Sequence, residues 1–172
     1  MSLEQIWAGW RAHYVATVAN APSPGAEGDG TSCVFCRLLA SDEPAAQRHV
    51  LFESASSAAL LNAYPYASGH LLVMPRRHVG TLGELSGLEA SELWSAVRDA
   101  VAALEAAYHP DGCNIGANIG RAAGAGIPDH LHIHVVPRWS GDTNFMTTVA
   151  GVRVMPEALA DSWGKLHAAW PR

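Results

Sequence analysis

Asp129-His130-Leu131-His132-Ile133-His134-Val135-Val136-Pro137-Arg138-Trp139 sets three histidines in alternation with Leu131, Ile133 and Val135. That alternation, with β-branched Ile133, Val135 and Val136, predicts a half-buried strand: aliphatic residues on the core face, imidazoles on the other, and Pro137 ending it. At a rise of ~3.3 Å per residue, His130, His132 and His134 stand roughly 6.6 Å apart along one face, close enough to share a ligand. Mid-strand positions offer histidine no turn or cap to make, so ordinary solvent-facing polarity explains the pattern poorly. Two chemistries use it. Neighbouring imidazoles can chelate a metal, or one can be a nucleophile flanked by a proton donor and an orienting partner.

The remaining composition bounds what surrounds this strand. The chain has 172 residues and 49% apolar content, which suits one domain with a real core. Net charge is 11 − 16 = −5 with no basic cluster, which argues against an extended nucleic-acid footprint but leaves room for a nucleotide. No apolar run approaches the ~20 residues of a membrane span, and the N-terminus lacks a signal pattern, so a cytoplasmic location away from membranes is expected. Three cysteines, two of them in Cys33-Val34-Phe35-Cys36, do not make a secreted disulfide framework; the pair reads as metal-binding or redox.

Along the chain, Leu3, Ile6, Trp7, Trp10, Tyr14 and Val18 predict an amphipathic helix over 3–18 capped by Ser2, followed by a Gly/Pro/Ser-rich loop over 20–32. Two strands are expected at His49–Glu53 and Ala58–Asn62, joined by a turn at 54–57, with Asn62 at a strand end. Gly69-His70-Leu71-Leu72-Val73-Met74-Pro75 is a nearly continuous apolar strand buried on both faces and opened by a histidine. Ser86-Gly87-Leu88-Glu89 is a capping box that starts the longest helix, to Tyr108. A strand over Cys113–Gly120, with Cys113 a small core residue, leads to the glycine-rich loop 120–128, whose backbone N–H groups suit an anion. A last helix is expected over Pro156–Trp170, after a turn-rich loop.

His130-Leu131-His132-Ile133-His134-Val135-Val136 resembles in full the signature of the histidine triad superfamily of nucleotide hydrolases and transferases. The tail Arg138-Trp139-Ser140-Gly141-Asp142-Thr143-Asn144-Phe145 is similar to the actinobacterial diadenosine-tetraphosphate phosphorylase type within it. The resemblance implies an α+β fold: a five-stranded antiparallel sheet with helices on one face, assembled as a homodimer. It implies one domain over 1–172, with an N-terminal helix and linker (1–32), a core (33–139) and a C-terminal extension (140–172). It also implies that His132 is the nucleophile, His134 an imidazolium on the phosphate oxygens, and His70 a fourth active-site histidine fixing a tautomer. Asn62 is placed on the ribose hydroxyls and Asn118 near the scissile bridging oxygen. Relatives carry glutamine where this chain has Gly126, which leaves the backbone N–H groups of Ala125 and Gly126 as replacement donors.

In related proteins a Cys-x-x-Cys pairs with a histidine after the second strand and the first triad histidine, which implies a structural Cys2His2 zinc on Cys33, Cys36, His78 and His130 and no organic cofactor. The implied activity is cleavage of a dinucleoside polyphosphate such as diadenosine tetraphosphate at an α-phosphate through a nucleotidyl-histidine, with phosphate or water as acceptor. Three readings compete with it. They are a nucleoside phosphoramidase, a non-catalytic nucleotide-binding regulator, and a hydrolase with catalytic zinc held by His130, His132 and His134.

Overall fold

The computed structural model describes residues 33–142 and 157–171. The expected helix over 3–18, the loop over 20–32 and most of the turn-rich segment before the last helix lie outside the described residues. The order of elements is α1 (Val34–Ala40), α2 (Ala45–Arg48), β1 (Val50–Glu53), β2 (Ser57–Leu61), β3 (Leu71–Pro75), α3 (Gly87–Tyr108), β4 (Gly112–Gly116), β5 (Ile133–Arg138) and α4 (Leu159–Ala169). The strands form one antiparallel sheet in the order β1-β2-β3-β5-β4.

Every residue of β2 and β3 is buried, so these strands need cover on both sides. Their alternate residues define the two sides. Ala59, Leu61, Leu71 and Val73 join Leu131, Ile133 and Val135 of the triad segment under Leu93, Val97, Ala100 and Leu104 of α3 and Leu166 of α4. Ala58, Leu60, Leu72 and Met74 face the other way, against Phe35 and Leu39 of α1. Helices on one face alone were expected. The short cysteine-bearing helix on the second face is required because β2 and β3 have no polar side to turn to water.

Sequence signals for the long helix hold. Ser86 caps α3, accepting from the Glu89 N–H at 3.2 Å while Glu89 accepts from the Ser86 N–H at 2.8 Å. His109 closes α3 in a left-handed conformation, with φ 46°. His49, expected to open β1, is instead the left-handed cap of α2 (φ 55°), so the strand starts at Val50. β3 starts at Leu71 because Gly69, at φ +79°, turns the chain into it. A Cβ at Gly69 would lie 3.0 Å from Leu104 Cδ2 and Tyr108 Cε2.

The triad strand differs most from expectation. β5 begins only at Ile133, leaving His130 and His132 before it, and runs through Pro137 to Arg138. Pro137 is tolerated because β3 pairs with β5 no further than Val135; beyond that point β5 has a neighbour on the β4 side alone. β4 stops at Gly116, paired with His134, and does not reach Gly120. Cys113 is half-buried against the α3 side of the core.

Leu104 is wholly buried in that core. Leu104→Ala should cost about 3 kcal/mol through lost transfer energy and a cavity. Urea unfolding measures this, and a loss below about 1 kcal/mol would contradict the packing described.

Candidate functional site

Cys33 is the N-cap of α1 and Cys36 lies within its first turn. Residues three apart on a helix share a face, so both thiols converge. The Leu131 N–H donates to the Val79 carbonyl at 2.6 Å, and Gly80 packs where a Cβ would meet the Pro128 carbonyl at 3.1 Å. These contacts bring the segment after β3 against the one before β5, and hence His78 beside His130. The ligand atoms of Cys33, Cys36, His78 and His130 all lie within 4.8 Å of one another. His130 Nδ1 is 3.4 Å from Cys33 Sγ and 3.5 Å from Cys36 Sγ, and His78 Nδ1 is 3.4 Å from Cys36 Sγ.

The donor set fits a four-coordinate cation. Bonds of about 2.3 Å to sulfur and about 2.0 Å to nitrogen put tetrahedral sulfur–nitrogen separations at roughly 3.5 Å. Burial, and then the neighbouring Cys33 thiol, push Cys36 up to about 11, so a thiolate there needs a positive charge beside it. His130 Nε2 lies 2.9 Å from the Pro75 carbonyl, which can only accept; Nε2 therefore carries the proton and Nδ1 presents its lone pair to the cluster.

His132 has the opposite tautomer. Its Nδ1 is 2.7 Å from the His130 carbonyl, so Nδ1 carries the proton and Nε2 a lone pair. Its solvent exposure is only 6%, and burial holds the imidazole below its ordinary range, partly offset by the hydrogen bond to that carbonyl. Phe35 sets its ring edge-on to His132 at 5.2 Å and to His130 at 5.4 Å. The three histidines therefore do not share one ligand. His130 turns into the cysteine cluster, whereas His132 and His134, with ring centroids 5.1 Å apart, form a separate pair.

His70, at 0% exposure, reaches His134 across the sheet, Nε2 to Nδ1 at 3.0 Å. Its own Nδ1 accepts from the Tyr66 main-chain N–H at 3.0 Å. Asn62 Oδ1 accepts from the Tyr64 N–H at 2.9 Å, which turns Asn62 Nδ2 toward His70 Nδ1 at 3.4 Å. With donors on Nδ1, the His70 proton sits on Nε2 and is given to His134 Nδ1. An imidazolium at His134 was expected; two N–H groups would then oppose each other across 3.0 Å. This geometry favours a neutral His134 in the ligand-free protein, in the same direction as burial and then the nearby His132, which push it down from its ordinary value.

The remaining expected residues are less organised. Asn118 is exposed two residues beyond the end of β4, the end that pairs with His134. Of the two expected backbone donors, the Ala125 N–H is turned to the Gly120 carbonyl at 3.4 Å. Gly126, exposed, has no main-chain N–H bond among the described residues. Sequence reasoning missed Phe35 and Tyr66. The Tyr66 ring lies over His134 (centroids 5.8 Å, planes 13° apart) and against His70 at 4.5 Å. No spacing rule marks either residue.

A histidine pair at the start of β5, with His132 held at Nδ1 by the main chain and His134 met by His70, is the arrangement that the family comparison identifies. A HIT-domain model matches residues 43–141, and the chain belongs to that family. It is 35% identical over 170 residues to AP-4-A phosphorylase of Mycobacterium tuberculosis, covering 99% of this chain and 86% of that one. It is 36% identical over 93 residues to the asymmetrical bis(5'-nucleosyl)-tetraphosphatase of Schizosaccharomyces pombe, covering 54% of this chain and 50% of that one. Among solved structures, a Zn-bound histidine triad family protein from Mycobacterium smegmatis superimposes with a TM-score of 0.66. It is 31% identical, over 82% of this chain and 94% of that one.

Long-range 15N–1H spectra of the resting protein should show His132 with its proton on Nδ1 and a bare Nε2. A proton on Nε2 would remove the lone pair that the geometry leaves for chemistry.

Proposed function

We propose that this chain is a dinucleoside-polyphosphate phosphorylase or hydrolase that cleaves substrates such as diadenosine tetraphosphate at an α-phosphate. One observation carries the reading: the His130 carbonyl holds the Nδ1 proton of His132, so Nε2 keeps a lone pair that is available without deprotonation. The likeness to the mycobacterial phosphorylase, over nearly the whole chain, supports the substrate class.

His132 Nε2 attacks the α-phosphorus, a nitrogen–phosphorus bond forms, and the bridging oxygen leaves with ATP. Phosphate then displaces the nucleotidyl group from His132 to give ADP, or water displaces it to give AMP. His134 presents an Nε2–H to the reacting phosphate, and the Gly126 N–H adds a neutral donor. Asn62 retains one amide hydrogen and one lone pair for ribose hydroxyls beyond its bonds to His70 and the Tyr64 N–H. Exposed Asn118 is assigned to the bridging oxygen.

Cys33, Cys36, His78 and His130 are assigned to a structural zinc, which supplies cross-linking of α1 to the sheet. The Zn-bound mycobacterial relative supports that identity. The chain acts as a homodimer, a reading supported by β4, an edge strand paired with β5 alone whose Ile115 is 46% exposed.

Diadenosine tetraphosphate with inorganic phosphate should yield ATP and ADP, read by ion-exchange chromatography, and His132→Ala should lower the rate at least about 10³-fold. ATP and AMP, whether or not phosphate is present, would make the protein a hydrolase. No turnover under either condition would refute both assignments.

Chelation should release about one zinc per chain and lower the thermal midpoint, and Cys36→Ala should lose the metal. A metal-free protein with an unchanged midpoint would refute the structural assignment.

A further inference from the structure

The loop between β2 and β3 does more than join two strands. It delivers Tyr66 onto His70 and His134. The Tyr66 main-chain N–H is a donor that cannot be inverted, unlike a side-chain amide. It meets His70 Nδ1 at 3.0 Å and so forces the His70 proton onto Nε2. Asn62, itself oriented by the Tyr64 N–H, presents a second donor to the same nitrogen. His70 Nε2 then donates across 3.0 Å to His134 Nδ1, and the only nitrogen of His134 left to carry a proton is Nε2. The Tyr66 ring covers this pair from one side, nearly parallel to His134 and 5.8 Å from it.

We propose that Tyr66 is a positioning residue: its main-chain N–H, through His70, fixes the proton of His134 on Nε2, and its ring holds that N–H toward the reacting phosphate. The chain of donors runs Tyr66 N–H, His70 Nε2–H, His134 Nε2–H, and no charge is created along it. His134 acts as a neutral donor, so the leaving oxygen receives a hydrogen bond whose direction is set before substrate arrives. Tyr66 itself touches no reacting atom; it acts through His70 and His134.

The use of that N–H in turnover rests on the function proposed above, but the proton's location does not, and the experiment separates the two. Long-range 15N–1H spectra of the metal-loaded protein should show bare Nδ1 and protonated Nε2 in both His70 and His134. Tyr66→Phe, which keeps the ring and the N–H, should retain both patterns. Tyr66→Ala, which keeps the N–H, should leave both tautomers in place but broaden the His134 signals as its ring loses its cover. Replacing the residue-66 amide by an ester, which removes only the N–H, should mix the tautomers of both histidines. With turnover of diadenosine tetraphosphate, Tyr66→Ala should lower kcat about tenfold at nearly constant KM, equivalent to about 1.4 kcal/mol in the transition state. A His134 protonated on Nδ1 or on both nitrogens, or His134 signals indifferent to both the alanine and the ester changes, would overturn the proposal. The expected spectra in a protein without turnover would sustain the positioning role and refute the enzymatic reading alone. Should Tyr66→Ala fail to fold, the ester protein, whose side chain is intact, decides the matter.

Discussion

The hydrogen bond from His132 Nδ1 to the His130 carbonyl, 2.7 Å long and buried, is the contact on which the rest of the site depends. It joins two jobs within one residue. The His130 side chain is held at Nε2 by the Pro75 carbonyl at the end of β3 and looks into the cysteine cluster at Nδ1. Its main chain meanwhile orients the His132 imidazole. A tilt of His130 moves the cluster and His132 together, and in surroundings of low dielectric such a directed bond is worth more than in water.

The sheet separates stability from chemistry by face. On one side α3 and α4 bury the larger aliphatic cluster, including Leu71, Leu93, Leu104 and Leu166, with no functional side chain among them. On the other, the smaller cluster under α1 adjoins His130 and His132, with Phe35 against both rings. Because Leu72 pairs with His134 and Gly116 pairs with it from the opposite side, His134 stands on a central strand whose position the large core sets, with His132 and His70 just before strands β5 and β3.

Much of this was legible in the chain. The unbroken apolar run of β3 announces burial on both faces, the Ser86–Glu89 box marks where α3 begins, and the family resemblance, which sets two distant histidines beside the cysteine pair, anticipates the cluster that the fold assembles. What escaped has a common cause. The His130 carbonyl, the Pro75 carbonyl and the Tyr66 N–H decide which ring nitrogens carry protons, and main-chain groups are the same in every sequence. The Ala125 N–H likewise looked available until the turn at Gly120 claimed it. Alternation predicted all three histidines on one strand face, but His130 and His132 precede the ladder; period alone does not say where pairing begins.

Helix α1 has seven residues and no side-chain cap, far shorter than a helix that persists in water unaided. Its order depends on Phe35 and Leu39 against the sheet and on whatever Cys33 and Cys36 hold. It is therefore a natural unit of partial opening, detachable while the α3 side of the sheet stays folded. Any ligand of the cysteine cluster stabilises the closed position of that unit, along with the whole fold, as the logarithm of its free concentration over its dissociation constant. Because Phe35 of α1 lies against His132, the supply of such a ligand would set how often that ring is uncovered.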